Sequence, residues 1–337
     1  MSRQSFVEPL FWNGKKCSLC NHYCEIQDNC TGVCGGRLNQ GGELRLLTYG
    51  RAAGFAIDPI EKKPFYHFKP GTRCLSFGTP GCNFRCRGCQ NADLSQGAKG
   101  APPAYESVEF TSPRDVSRLA AKADGVAYTY SEPTIFFEYA RDCILETRKR
   151  YPEKYHVFVS NGFFSKECWE LIEREKLLDA IRIDLKSFSQ EFYKEYCGAR
   201  LQPVLDNLER VAKSDVHLEV INLVVPGEND SGKELGKVSR FVAGLRNGNV
   251  PLHFSRFYPM HEASGLRETP AEKLFEAKKI ALEEGVKFVY VGNLGTENNT
   301  LCPDCGATCV ERTAFSARSL MNKNACPRCG KRLAVVV

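Results

Sequence analysis

Between residues 74 and 291 the chain alternates short apolar runs with longer segments whose apolar residues recur at helical spacing. Seven runs read as strands, at 74–79, 126–130, 156–160, 180–185, 217–225, 253–257 and 288–291. Between them, Ile135, Phe136, Ala140, Ile144 and Leu145 mark one face of a helix. Ser112-Pro113-Arg114-Asp115 opens another with a serine cap and a proline in the first turn, and Thr269-Pro270-Ala271-Glu272 repeats that device. Strands that alternate with helices predict a parallel sheet. With too few units for a closed eight-fold ring, the expected class is α/β, a partial (β/α) TIM-type barrel of about six units. Chemistry in such a fold sits where the strands end. The polar groups expected there are Ser131-Glu132, Ser160-Asn161-Gly162, Asp184-Leu185-Lys186, the 226–230 loop, Arg256, Tyr258, His261 and Asn293.

The flanks do not share this pattern. Residues 43–50 read as a strand, and the prolines of 57–68 predict an extended lead-in on which Lys62, Lys63 and His67 are surface residues. The expected organisation is an N-terminal Cys-rich module with its lead-in (1–71), the barrel (72–297) and a C-terminal ribbon (298–337).

Composition narrows the class. A chain of 337 residues, 42% hydrophobic and 26% charged, is an ordinary soluble globular protein. Its net charge of +6 counts no thiolates, and its lysines and arginines are dispersed, so nucleic-acid binding is not indicated. Residues 1–14 carry no apolar signal segment and no run approaches a membrane span, so a cytoplasmic location is expected. Seventeen cysteines in that reducing compartment imply metal rather than disulfides. Cys74, Cys143, Cys168 and Cys197, scattered singly, read as small buried apolar residues.

The other cysteines fall in three clusters. Cys17, Cys20, Cys24 and Cys34 form the first ligand set, with Cys30 or His22 as a substitute. So short a span builds no core, and a metal must organise it. Zinc and an auxiliary iron–sulfur cluster both suit the thiolates, and a second iron–sulfur cluster is the expectation. The last cluster, Cys302-x2-Cys305 and Cys326-x2-Cys329 with a glycine after each pair, has zinc-ribbon spacing, and Cys309 is a spare. In the middle lies Gly81-Cys82-Asn83-Phe84-Arg85-Cys86-Arg87-Gly88-Cys89. Three thiolates there complete a zinc site only with a distant fourth ligand. They also hold a four-iron cubane that takes one thiolate per iron and keeps one iron open.

That loop, with Ser76-Phe77-Gly78-Thr79-Pro80-Gly81 before it, resembles the radical S-adenosylmethionine (SAM) superfamily, in particular its pyruvate formate-lyase activating-enzyme branch. Cys17-Ser18-Leu19-Cys20-Asn21-His22, Asp58-Pro59-Ile60-Glu61-Lys62-Lys63-Pro64, Thr129-Tyr130-Ser131-Glu132-Pro133 and the ribbon together resemble the radical enzyme of the Memo-associated (AmmeMemoRadiSam) system. The resemblance implies a [4Fe–4S] cluster on Cys82, Cys86 and Cys89 that cleaves SAM to methionine and a hydrogen-abstracting 5′-deoxyadenosyl radical. It implies SAM contacts from Ser131 and Glu132 to the amino group, Lys186 with Asp184 to the carboxylate, His253 near the ribose, and Ser160 and Asn161 along the ligand. Gly88 stands where the family carries an aromatic residue against adenine. Val159 stands where the activases carry an aspartate that helps bind a monovalent cation, leaving Asp184 there. An electron donor such as a ferredoxin or flavodoxin is implied as a partner, and a protein substrate or Memo-type protein as another. The leading expectation is a radical enzyme acting on a macromolecule. The alternatives are a glycyl radical enzyme activase, a small-molecule mutase or lyase, and a metal-stabilised scaffold without catalysis.

Overall fold

The computed structural model describes residues 7–97 and 105–337, so the start of the N-terminal segment, residues 1–6, lies outside them. Its centre is one eight-stranded sheet. Seven strands run parallel in chain order: β4 (Arg73–Gly78), β5 (Gly125–Tyr128), β6 (Tyr155–Ser160), β7 (Ala180–Asp184), β8 (His217–Val224), β9 (Leu252–Arg256) and β10 (Val289–Gly292). Six crossovers join them, as the repeat predicts, and every one carries at least one helix. The described helices are α1 (Ala92–Ser95), α2 (Pro113–Ala120), α3 (Phe137–Arg150), α4 (Lys166–Arg174), α5 (Gln190–Cys197), α6 (Gln202–Ala212), α7 (Gly232–Gly244) and α8 (Ala271–Glu283). The strands are largely buried on both faces because helices cover the outside while side chains fill the inside.

The eighth strand, β3 (Ala53–Pro59), pairs antiparallel with β4 at the edge. The sequence pattern had only its last residues, from Ile57, as part of the extended lead-in. Its residues are half-exposed without alternation, and Pro59 ends it where an edge tolerates a missing donor. A hairpin of β1 (Arg37–Gln40) and β2 (Glu43–Leu46) precedes it, the second strand falling in the expected segment. Three more strands, β11 (Thr300–Leu301), β12 (Thr308–Thr313) and β13 (Ser316–Ser319), form the ribbon.

Ser112 caps α2 as expected, its side chain accepting from the Asp115 amide. Thr269 does not repeat the device. Its hydroxyl turns inward, donating to the Val224 carbonyl at 2.6 Å and accepting from the Phe257 amide at 2.9 Å, so it ties two strand ends together.

The lead-in is not surface. His67 is fully buried, and Lys63 is nearly so, donating to Asp58 at 3.0 Å and lying 4.6 Å from the Tyr130 ring centre. Residues 65–69 pass between the N-terminal ends of the barrel strands and the ribbon, where Phe68 bridges to Val336. Glu219, wholly buried in β8, accepts from the Tyr66 and His67 amides at 2.9 and 2.7 Å and from His217 and His253 at 3.1 and 2.7 Å. Arg312 of β12 donates to the Tyr66 carbonyl and to Thr300, while Tyr66, Phe288 and Tyr290 pack against Leu333 and Val335. The ribbon thus plugs the end of the barrel opposite the loops expected to carry chemistry.

Candidate active site and metal centres

At the other end the strand termini surround a cavity of about 350 Å³. The cysteine loop after β4 forms one wall. Gly81 opens it at φ +96, a left-handed conformation, and a Cβ there would lie 2.7 Å from the Cys34 carbonyl and from the Tyr105 hydroxyl. Glycine is required on both counts. Phe84, buried, anchors the loop against Phe163 and Tyr193 at 5.3 and 6.2 Å between ring centres. The Arg85 and Arg87 amides donate to the Cys197 and Tyr196 carbonyls at 2.7 and 3.0 Å, fixing the loop to the end of α5.

Cys82, Cys86 and Cys89 all line the cavity and are half-buried. The Cys82 sulfur accepts from the Phe84 amide at 3.4 Å, and the Cys89 sulfur lies 3.2 Å from the Ser95 hydroxyl. Donors aimed at sulfur suit thiolate ligands. In the ribbon, Cys302 to Cys329 and Cys305 to Cys326 are each 3.6 Å apart between sulfurs. A tetrahedral zinc with bonds of about 2.3 Å spaces its sulfurs by roughly 3.8 Å. Gly306 and Gly330, at φ +71 and +75, make the two tight turns expected after the pairs. Among the described residues this is the one set of three or more His, Cys, Asp or Glu whose ligand atoms all lie within 4.8 Å of one another. The three central thiols are not such a set, so at least one pair of their sulfurs lies more than 4.8 Å apart.

Glu132, 1% exposed, lines the cavity and organises it. Its Oε1 accepts from the Thr134 amide and hydroxyl at 3.0 and 2.6 Å and from Ser160 at 2.8 Å, and its Oε2 accepts from the Asn161 amide at 2.7 Å. Oε1 is saturated, and Oε2 keeps a lone pair for a ligand's ammonium. Burial pushes this carboxyl up, and the bonds from Asn161, Thr134 and Ser160 oppose it. Asn161 in turn donates to the Asn83 side chain at 2.7 Å, which couples the β6 loop to the cysteine loop.

Lys186 donates to Asp184 at 2.8 Å, and Arg182 approaches the other Asp184 oxygen at 3.0 Å. Burial alone would raise the Asp184 carboxyl, but Arg182 and Lys186 hold it below its usual range. Burial would likewise lower the Lys186 ammonium, yet Asp184 and Cys86 keep it well above its usual value and so charged. Arg182 was missed in the sequence, although its place two residues before Asp184 on a strand puts both on one face.

Gly88 also lines the cavity. The space its side chain would fill is taken from elsewhere: a Cβ at Gly88 would lie 2.2 Å from the Tyr196 hydroxyl and 2.8 Å from Phe257. Tyr196 stacks on Phe192 with ring centres 4.6 Å apart, both rings facing the cavity, and its hydroxyl is buried with no hydrogen-bond partner among the described residues. Helix α5 thus brings to the cavity the aromatic surface that the loop lacks. Only the spacing of Phe192 and Tyr196, four apart, hinted at a shared face.

His253 does not reach this cavity. It is the second residue of β9, and its Nε2 donates to Glu219 beneath the ribbon, at the barrel's opposite end. The expectation that it lies near a ribose is corrected by strand direction. Of the other rim residues, Ser131, Ser160, Asn161 and Asn293 line the cavity. Arg256 instead bonds to Glu268 and the Thr269 carbonyl, and Glu228 pairs with Arg87.

The N-terminal thiols form their own group beside the cysteine loop. Burial pushes the Cys20 thiol well up, and Cys34, Cys17 and Cys24 add to that, which places the four within electrostatic reach of one another. Cys34 is pushed up to about 11, chiefly by burial. Cys30 is exposed, and His22 donates from Nε2 to the Asn83 carbonyl at 2.7 Å. The module is fixed to α3 by Arg37 and Glu138, a buried ion pair to which Leu10 adds its amide and its carbonyl. Cys20 bridges to Phe164, and Asn21 donates to the Phe163 carbonyl at 2.9 Å. Cys74, Cys143, Cys168, Cys197 and Cys309 are buried, as scattered small residues are.

Residues 77–238 match the radical SAM superfamily. An uncharacterized protein of Methanocaldococcus jannaschii is 37% identical over 344 residues, covering 100% of both chains. The pyruvate formate-lyase 1-activating enzyme of Escherichia coli is 27% identical over 66% of this chain and 93% of its own. Among solved structures, a radical SAM methyltransferase from Sphaerobacter thermophilus aligns over 73% of this chain and 70% of its own, with a TM-score of 0.51 and 11% identity, a likeness of fold alone.

Proposed function

The chain belongs to the radical SAM superfamily, and from that premise we propose that it cleaves SAM reductively and abstracts hydrogen from a macromolecular substrate. The observation that carries this reading is the convergence of three thiols, the open lone pair of Glu132 and the Lys186 ammonium on one cavity. A [4Fe–4S] cluster on Cys82, Cys86 and Cys89, when bound, supplies the electron that converts SAM to methionine and a 5′-deoxyadenosyl radical.

The chain's own residues bind and orient. Lys186, kept charged by Asp184, meets the methionine carboxylate. Glu132 offers Oε2 to the amino group while holding Ser160 and Asn161 in place. Tyr196 and Phe192 offer a flat apolar surface to adenine, and the Tyr196 hydroxyl a hydrogen bond. A macromolecular substrate is favoured because the sheet ends at β3 and β10 without closing, so the cavity needs a cover to exclude water. The relatives named as activating enzymes favour a protein substrate by analogy. We assign the ribbon to zinc, with a structural role, and keep the division at residues 71 and 297. The helices described include none long and apolar enough to cross a membrane. A cytoplasmic setting with a ferredoxin or flavodoxin as donor completes the reading.

Anaerobic reduction with SAM is expected to yield 5′-deoxyadenosine from the wild type and none from Cys86→Ala, whose ribbon keeps its zinc. Full yield in the variant refutes the assignment. Incubation with a deuterated proteome fraction and, separately, with a deuterated desalted metabolite extract addresses the substrate. Label entering 5′-deoxyadenosine from the metabolites alone overturns the macromolecular reading.

A further inference from the structure

We propose that the N-terminal cysteines hold an iron–sulfur cluster that relays electrons into the central cysteine loop, an inference that rests on the radical reading of that loop. Two independent contacts join the sites. The Cys34 carbonyl lies 2.7 Å from where a Gly81 Cβ would stand, and Gly81 directly precedes Cys82. From standard backbone dimensions, the Cα atoms of Cys34 and Cys82 are then at most about 10 Å apart. On the other side, His22, two residues from Cys20, donates to the carbonyl of Asn83, the residue after Cys82. Ligand-bearing segments of the two sites are thus joined by one van der Waals contact and one hydrogen bond. Clusters so placed lie within electron-tunnelling distance.

The thiols themselves favour iron–sulfur over a single zinc. No three of their sulfurs lie mutually within 4.8 Å, as the ribbon's four do. The Tyr105 hydroxyl, buried and without a hydrogen-bond partner among the described residues, faces the same junction of Gly81 with the Cys34 carbonyl. The module also has a face for a carrier. Cys24 is half-exposed, and Lys15, paired with Glu25 at 3.5 Å, and the exposed Lys16 immediately precede Cys17, Lys16 offering a charge that suits an acidic one-electron protein.

Each transfer moves one electron and no atom. A reduced flavin or iron–sulfur carrier is oxidised as the N-terminal cluster is reduced. That cluster is reoxidised when the electron passes to the central loop, so one electron leaves the carrier for each one delivered. A mononuclear zinc module in the same position would stiffen the loop and conduct nothing.

The test uses full-length protein prepared anaerobically. In a Cys82→Ala/Cys86→Ala/Cys89→Ala variant, iron and acid-labile sulfide are expected to persist at about four per chain, with an EPR signal on reduction. Zinc alone in that module overturns the proposal. Freeze-quench EPR then follows reduction of the central cluster by flavodoxin hydroquinone or by dithionite. Cys17→Ala/Cys20→Ala is expected to slow the flavodoxin arm at least tenfold and His22→Phe several-fold, with the dithionite arm unchanged. An unchanged flavodoxin rate in a folded variant that has lost its N-terminal iron overturns the relay. Should the cysteine variant not fold, the fully reduced wild type decides, because clusters this close must show spin–spin interaction and its absence refutes their proximity. These readouts need no SAM cleavage, so a failure to form 5′-deoxyadenosine with dithionite counts against the radical reading and leaves the relay to its own result.

Discussion

Replacing Gly88 with alanine tests whether the cavity is shaped as described. The added methyl would stand 2.2 Å from the Tyr196 hydroxyl and 2.8 Å from Cε2 of Phe257. Restoring an ordinary contact requires the hydroxyl, or the loop, to move by more than 1 Å. Tyr196 is poorly free to yield, since its ring is stacked on Phe192 and covered by the Arg87 guanidinium 5.7 Å away. The loop must give instead, and it carries Cys86 and Cys89. Overpacking of this kind costs about 1–3 kcal/mol. Displacement of a reacting geometry by an ångström lowers rates by roughly 10²-fold. Tyr196→Phe supplies the control. It removes the clashing oxygen and leaves Cζ at 3.4 Å, an ordinary contact. Alone it is expected to weaken SAM binding by about 0.5–1.5 kcal/mol, the worth of one hydrogen bond. Combined with Gly88→Ala it should recover part of the single-turnover rate of 5′-deoxyadenosine formation, since the Phe257 contact at 2.8 Å remains. Equilibrium dialysis with SAM and quenched-flow product analysis measure the two quantities. If Gly88→Ala behaves as wild type, or the double variant is as damaged as the alanine alone, the packing argument is wrong.

Two further outcomes are expected. Arg37→Met leaves Glu138 charged and buried without its partner, which should cost about 3–5 kcal/mol in urea unfolding; adding Glu138→Leu should return more than half of it. His67 and His156 are both pushed down to about 3 by burial and are neutral in the folded chain. Their contribution to stability is therefore full above the unfolded value of about 6.5 and is lost as the pH falls toward 3, at roughly 1.4 kcal/mol per pH unit for each. His156→Phe should flatten the acid limb of a stability–pH curve by one such increment between about pH 6 and 5, and an unchanged slope would show that His156 is not held neutral.

What the sequence showed and what it hid divide along chain distance. The parallel strands emerged within a residue or two because each is a short apolar run between helices, and periodicity is a local property. The ribbon was legible for the same reason, as two knuckles whose spacing alone defines a site. β3 was not, since an edge strand half-exposed along its length has no alternation to detect. His67 and Lys63 were misjudged because their burial depends on the ribbon and on Tyr130, far along the chain. His253 failed differently. Matching a motif placed a histidine on the right strand, but its position at the start of β9 sends it to Glu219. The resemblance carried residue identity without carrying height along the barrel.

The position of Arg182 bears on which chemistry the cavity favours. Val159 pairs with Arg182 across β6 and β7, so the side lacking a carboxylate adjoins a guanidinium. Asp184 is then shared between two fixed cations, Arg182 at 3.0 Å and Lys186 at 2.8 Å. An exchangeable monovalent cation would have to displace or join them at a carboxylate whose charge is already compensated. The two cations and one carboxylate leave a net single positive charge, whose repulsion a few ångströms away amounts to about 4 kcal/mol at an effective dielectric constant of about 20. A guanidinium cannot relieve this by losing its proton. The cavity therefore holds its positive charge permanently, in a side chain of the chain itself. This departs from the carboxylate pair that the resemblance implies for the activases.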